Sequence, residues 1–280
     1  AIFPMWNQKQ LSLTFTIMMI LFAAGGLLGG KLSKTIRHSM LALLSGCLML
    51  IGFVTVSFLP SGNETLALIL LYIFYGGFTG LGVGIGYNVV LSCVSSWFPD
   101  KDGLVSGILL TGFGFSSLII ANAAEALLRV TTLSIVFRGL GILCGGVMVL
   151  GSFFLRLPTA DDTLPAPKKK AVVSGGQDYT TAQMLRRPTF WLYFLWNLCM
   201  SATGMLVINN ASSIALFFGT AATVGLLVSI FNSGGRLFIG MSMDKFGWKA
   251  TMLIDNAVII SAGLLMVLGN ALGLFPLVLI

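Results

Sequence analysis

From Pro188 to Gly235 the chain runs 48 residues without one charged side chain, and then presents Arg236 followed by Leu237, Phe238 and Ile239. A guanidinium is a rigid planar fork of N–H donors that matches a carboxylate in two parallel bonds, which a lysine ammonium does not. The neighbouring residues sort by face. At helical spacing Gly225, Ser229, Asn232, Ser233, Arg236 and Gly240 share one stripe. Leu226, Leu227, Ile230, Phe231, Leu237 and Phe238 cover the rest of the helix. The chemistry expected of Arg236 is reversible capture of a carboxylate. The competing reading is an internal partner, either a backbone carbonyl or an acid, or a side chain stretched toward Asp244.

Further polar side chains stand out against the apolar background. Tyr87 and Asn88 extend a row formed by Gly76, Gly80 and Gly84, and are candidates to line a substrate path. Asn209 and Asn210, in "VINNASS", either mark local unwinding at the site or bond between helices. Asp255 and Glu125 are read as interfacial or paired residues, and Arg138 as reaching outward. His38, the single histidine, is placed in a loop. The four cysteines, Cys47, Cys93, Cys144 and Cys199, lie in apolar segments at no metal-like spacing and read as small hydrophobes. No Ser-His-Asp set, metal site or nucleotide loop occurs, so neither an enzyme nor a cofactor or metal is expected.

The elements that must position these residues follow from composition. The 280 residues are 56% hydrophobic and 9% charged, against roughly 25% charged in soluble domains. A bilayer core about 30 Å thick needs about 20 apolar residues per helical crossing. Such stretches occupy 10–30, 39–63, 65–99, 103–124, 130–155, 188–235 and 256–280. The longest breaks near "FFGTAAT", giving eight crossings, with the start of another at "LFPLVLI". The expected fold is an all-α polytopic membrane helix bundle. Residues 1–155 form one membrane half, 156–188 a polar cytoplasmic linker, and 189–280 the start of a second half; "TTAQMLRRP" is a short surface helix. The chain begins without Met and stops inside an apolar segment, so it is expected to be a truncated copy of a longer protein.

The net charge of +7 suggests nucleic acid until its distribution is considered. With alternating crossings, Lys31, Lys34, Arg37, Lys101, Arg156, Lys168, Lys169, Lys170, Arg186, Arg187, Lys245 and Lys249 fall on one side, and Lys9 and Arg129 on the other. That asymmetry is the positive-inside signature and marks the cytoplasmic face. The basic balance reports topology, and no nucleic-acid partner is expected. On this topology Arg236, eight residues before Asp244, lies about 12 Å up its helix and near the midplane. A central arginine costs at least about 2.5–3.5 kcal/mol and usually faces a bundle interior or aqueous cavity.

Small residues recur on several helix faces. Gly25, Gly26, Gly29 and Gly30 form one group, and Gly103, Gly107, Thr111 and Gly114 another. Such faces let backbones approach in lipid, either as static interfaces or as surfaces that slide.

One loop carries a pattern. "GMSMDKFGWK", residues 240–249, reads G-x-x-x-D-(K/R)-x-G-x-(K/R), with Gly240, Asp244, Lys245, Gly247 and Lys249 at the defining positions. A related text, "GKLSKTIRHS" at 30–39, has Lys34 in place of the acid and Arg37 in place of the second glycine. This pattern resembles the loop signature of the major facilitator superfamily, which recurs once in each six-helix half. The resemblance implies a twelve-helix parent, of which this chain covers about helices 2 to 10. A narrower resemblance lies in "GYNVVLSCVSSWFPDKDGLVSGILLTGFG", residues 86–114. It is similar to the oxalate/formate antiporter family, related to the monocarboxylate transporters, with Asp102 where that family usually has arginine. Pro99 reads as ending a helix, and Asp100 with Asp102 either as its stop and cap or as part of a cytoplasmic gate, to which Lys101 also belongs.

The resemblance implies a secondary transporter of small carboxylate anions, with Arg236 as the basic group of the eighth helix that binds substrate. No acid stands at the midplane, which favours exchange over proton coupling. The alternatives are a proton-coupled lactate or pyruvate symporter and a non-transporting carboxylate sensor on the same scaffold. The expected partners are the lipid bilayer of the cell membrane and a small carboxylate, with the protein a monomer.

Overall fold

The computed structural model describes residues 6–60, 62–159, 161–162, 179–217 and 223–272; within them the side chains of 8, 113, 117–118, 121, 209–217, 223–229 and 270–272 are excepted. The described residues contain no strand. In order they form α1 (Gln8–Leu32), α2 (His38–Val56), α3 (Glu64–Leu70), a π-helical stretch (Leu71–Thr79), α4 (Gly80–Trp97), α5 (Asp102–Leu128), α6 (Leu133–Ser152), α7 (Thr181–Leu185), α8 (Pro188–Phe217) and α9 (Thr223–Leu272). Local chemistry sets several ends. Asn7 and Gln10 form a reciprocal capping box on α1, and Thr180 and Gln183 form another on α7, the short helix expected at "TTAQMLRRP". Pro99 follows the end of α4, and Pro188 opens α8, where its missing N–H costs nothing.

Among the described residues six helices are long and apolar enough to cross a membrane, and α5 adds a shorter apolar stretch at 102–116. The sixth span, Ile230–Gly269, has 40 residues, about twice one crossing. Its helical geometry breaks at Gly247, so α9 comprises two crossings. The division expected at "FFGTAAT" falls between Phe217 and Thr223, residues 218–222 lying outside the described ones. "LFPLVLI" and most of the 156–188 linker also lie outside them. The spans turn few residues inward: between 0% and 33% of each apolar window is buried, with Leu27 and Leu150 79% and 65% exposed. That is the surface of helices solvated by lipid, where every backbone bond is met within the helix.

The chain divides into two compact units, one from residues 1–106 with 119–165, the other from 107–118 with 166–280. In the first, α1 packs along α4, and α2 along both α4 and α6. The glycine row explains the first contact. A Cβ added at Gly80 would lie 2.7 Å from the Met18 carbonyl, one at Gly84 would collide with that of Phe22, and one at Gly25 with that of Leu81. Asn88 completes the row by donating Nδ2–H to the Gly26 carbonyl at 2.8 Å. A second row, Gly82 and Gly86, faces α2 instead, where the fully buried Ser45 hydroxyl donates to the Gly82 carbonyl at 2.6 Å. Leu41 and Ala42 of α2 meet Ile85 and Val89 of α4 to form the apolar centre.

The π-helical stretch was not legible in the sequence. It lets Thr79 Oγ1 reach the Phe74 carbonyl five residues back, at 3.4 Å. Gly76, Gly80 and Gly84 still face α1 across it. His38, expected in a loop, is the first residue of α2 and is buried. Arg138 lies over the Phe58 ring at 4.4 Å and donates to Ser57 Oγ at 3.4 Å, while Glu125 pairs with Arg129 at 3.1 Å.

Candidate functional site

In the second unit, the polar stripe of α9 meets the small-residue row of α5. A Cβ added at Gly107 would lie 2.9 Å from the Arg236 carbonyl, 3.2 Å from Leu237 Cα and 3.5 Å from Gly240 Cα. One added at Gly114 would collide with Ser233. The two backbones touch because both faces lack bulk. Ser233 is fully buried there. The Thr111 hydroxyl reaches two carbonyls, Gly107 of its own helix at 2.8 Å and Ser233 of α9 at 2.9 Å.

Arg236 stands beside this contact, half-buried, and donates Nη1–H to the Leu110 carbonyl of α5 at 3.0 Å. It therefore has the backbone-carbonyl partner that one sequence reading anticipated. A guanidinium carries five donors, and a helix carbonyl takes one while bringing no net charge. Arg236 is eleven residues before the break at Gly247, about 16 Å along the axis and close to half a bilayer core.

The loop pattern has a definite geometry. Gly247 has φ 79° and ψ 172°, and it is the one described residue with positive φ. A side chain there is strongly disfavoured, so the second glycine of the pattern is a backbone requirement. The helix continues through Asp244 to the break at Gly247. Lys245 Nζ lies 5.3 Å from the Phe246 ring centre and Lys249 Nζ 5.4 Å from that of Trp248. In the first copy of the loop, Arg37 has φ −60° and ψ 138°. That turn is made without positive φ, which explains why arginine is accommodated there.

Residues 4–280 match the sequence profile of the Major Facilitator Superfamily. The chain belongs to that superfamily. It is 29% identical to the oxalate:formate antiporter of Oxalobacter formigenes over 88% of its own length and 58% of the relative's. It is 28% identical to the uncharacterized MFS-type transporter YhjX of Escherichia coli, over 89% and 61%. It is 25% identical to apicoplast pyruvate carrier 1 of Toxoplasma gondii, over 81% and 52%. The chain thus spans between about half and three-fifths of the length of these relatives. It is a multi-pass membrane protein of a transporter superfamily.

The other candidate residues of this superfamily member are placed as follows. Tyr87 and Asn88 belong to the first unit, in the α1–α4 contact, where the Tyr87 ring is 5.6 Å from that of Phe22. Asn209 and Asn210 lie in α8, which stays helical through both, without local unwinding; their side chains are outside the described ones. Asp100 Oδ1 is buried and has no hydrogen-bond partner among the described residues, and Lys101 is exposed at the N-cap of α5. Asp255 lines a cleft of about 400 Å³ with Tyr193, Trp196, Trp248 and Thr251, and Arg236 is not among the lining residues. Among the described residues no cluster of metal-ligating side chains occurs. Sequence reasoning missed the Leu110 carbonyl, which no side-chain pattern announces. It had noted Thr111 only as a small residue.

Proposed function

We propose that this chain is part of a secondary transporter that exchanges small carboxylate anions across the cell membrane, with Arg236 receiving a substrate carboxylate. Residues 1–155 and 189–280 belong to two membrane halves joined by the 156–188 linker, and rocking of the halves exposes the site alternately. The observation that carries this reading is an arginine deep in an apolar span, on the one stripe of that helix that is small and polar. Its charge is costly in lipid, and a carboxylate ligand neutralises it through charge-assisted, bidentate bonds. An empty carrier keeps that charge unneutralised by substrate, which disfavours crossing without cargo and gives exchange. Tyr87, Asn88, Asn209 and Asn210 are proposed to line the path. Gly240, Asp244, Lys245, Gly247 and Lys249, with Asp100 and Lys101, are proposed to form the cytoplasmic hinge and gate.

Support also comes from similarity over most of the chain to a protein named as an oxalate:formate antiporter. Similarity to a protein named as a pyruvate carrier keeps a proton-coupled monocarboxylate carrier as the second reading. The experiment is uptake of labelled oxalate by the full-length carrier in proteoliposomes, loaded with oxalate or formate, or empty. Uptake only into loaded vesicles, abolished by Arg236→Gln, is the expected result. Uptake of lactate or pyruvate into empty vesicles driven by a pH gradient selects the second reading. Transport that survives Arg236→Gln removes Arg236 from the site.

A further inference from the structure

Two bonds across the α5–α9 contact have donors with somewhere else to go. The Thr111 hydroxyl has one proton and two acceptors at nearly equal distance, 2.8 Å within α5 and 2.9 Å across to α9. When the helices part, that proton turns fully onto the Gly107 carbonyl of its own helix, and no buried donor is stranded. The second bond joins Arg236 Nη1 to the Leu110 carbonyl. A carboxylate is a stronger acceptor for a guanidinium than a neutral carbonyl, because the bond is charge-assisted and can be bidentate. A substrate carboxylate therefore competes for the group that ties α9 to α5. The contact of α1 with α4 offers a contrast: the amide of Asn88 bonds a carbonyl across the helix pair, with backbones interlocked at Gly25, Gly80 and Gly84.

We propose that the Arg236–Leu110 bond is a latch between α5 and α9 that a carboxylate substrate releases, with Thr111 as the positioning residue whose own bond across to α9 helps hold the contact shut and leaves no stranded donor when it opens. The proposal rests on the reading of Arg236 as the carboxylate ligand. It makes the empty carrier a latched one and couples occupancy to helix separation without any titratable acid.

The test uses the full-length carrier in proteoliposomes with oxalate as the probe. Two quantities are read: apparent oxalate affinity, and the ratio of uptake into empty vesicles to uptake into oxalate-loaded ones. Thr111→Val keeps the shape and removes the proton. Gly107→Ala adds a methyl 2.9 Å from the Arg236 carbonyl and forces α9 back. Thr111→Ser restores a hydroxyl. Loss of one hydrogen bond's worth of competition raises affinity about threefold to tenfold in the Val and Ala variants. The uptake ratio rises with it, and Thr111→Ser stays near wild type. A merely structural contact would lose affinity when damaged. If Gly107→Ala fails to reach the membrane, the two Thr111 variants decide. Affinity and ratio that are unchanged or lower in Thr111→Val, while Arg236→Gln abolishes oxalate binding, overturn the latch and leave the ligand reading standing. Oxalate binding that survives Arg236→Gln overturns both.

Discussion

The indole Nε1 of Trp97 donates to the main-chain carbonyl of Arg156 at 2.8 Å, and the Arg156 guanidinium lies 4.9 Å from the centre of that same ring. The tryptophan of "WFPDK" thereby ties the end of α4 to the chain leaving α6. Arg156 also grips Asp162 through both terminal nitrogens, at 3.1 and 3.0 Å. One arginine thus fastens the start of the linker to the end of α4.

Replacing Trp97 tests that fastening. Trp97→Phe removes the indole donor but keeps a ring beneath Arg156. It is expected to cost about 1 kcal/mol, the net worth of one hydrogen bond. Trp97→Ala also loses the cation–π contact and costs about 0.5–1 kcal/mol more. Thermal denaturation of the purified protein in detergent checks the order, Ala below Phe below wild type. Equal stabilities would mean that Arg156 is held elsewhere.

Acid should release the same segment. The Asp162 carboxylate accepts the Thr159 N–H at 2.8 Å, the two Arg156 bonds and the Thr159 hydroxyl at 2.9 Å, and these hold its pKa below the ordinary 3.8. A depressed folded-state pKa contributes stability that is fully present above the unfolded value and is lost as pH falls through the folded one. Hydrogen exchange at the Thr159 and Asp162 amides is therefore expected to be protected at neutral pH and down to about pH 4–5, and to lose that protection only below. Asp162→Asn should remove most of it at neutral pH. Protection lost already near pH 6 would contradict the assignment.

The two loops should respond in opposite ways to glycine. At φ 79° and ψ 172° Gly247 occupies a region essentially reserved for glycine, so Gly247→Ala is expected to destabilise by about 1–3 kcal/mol. Arg37→Gly, at φ −60°, should gain nothing. Melting temperatures and membrane yields of the two variants decide this. A neutral Gly247→Ala would mean that the break is made elsewhere.

Glycines of the same helical type should divide by what they touch. Gly84→Ala drives a methyl into the Phe22 carbonyl and is expected to cost about 1–3 kcal/mol as overpacking. Gly146, in α6, has nothing within 4 Å of an added Cβ, so Gly146→Ala should be neutral or stabilise by about 0.4–1 kcal/mol. Unfolding of the two variants in a denaturant series separates the outcomes. Similar effects at both positions would show that α1 and α4 do not approach as described.

Much of this was legible because it is local. The row Gly76, Gly80, Gly84 and Asn88 follows the helical repeat, and it faces α1 along its whole length. The stripe of Ser233, Arg236 and Gly240 was equally visible, as was the row Gly107, Thr111 and Gly114. Their meeting was not, since the two lie more than a hundred positions apart and neither text names the other. Asn88 illustrates the limit. As an amide among glycines it reads equally as path-lining or interface, and only the position of the Gly26 carbonyl gives it a partner.

Composition alone determined that this chain lives in a membrane, because too little polar surface exists to cover it in water. The asymmetry of Lys and Arg is the basis of the proposed cytoplasmic face, and the loop text marked the turn that needs Gly247. Tertiary structure alone decided that Arg236 bonds to Leu110, that Thr111 shares its proton between two helices, and that a π-helical stretch lies ahead of α4. The reason is physical. Side-chain type and spacing are written in the sequence, whereas backbone carbonyls are the same at every residue. Which of them a side chain meets depends on how the helices pack.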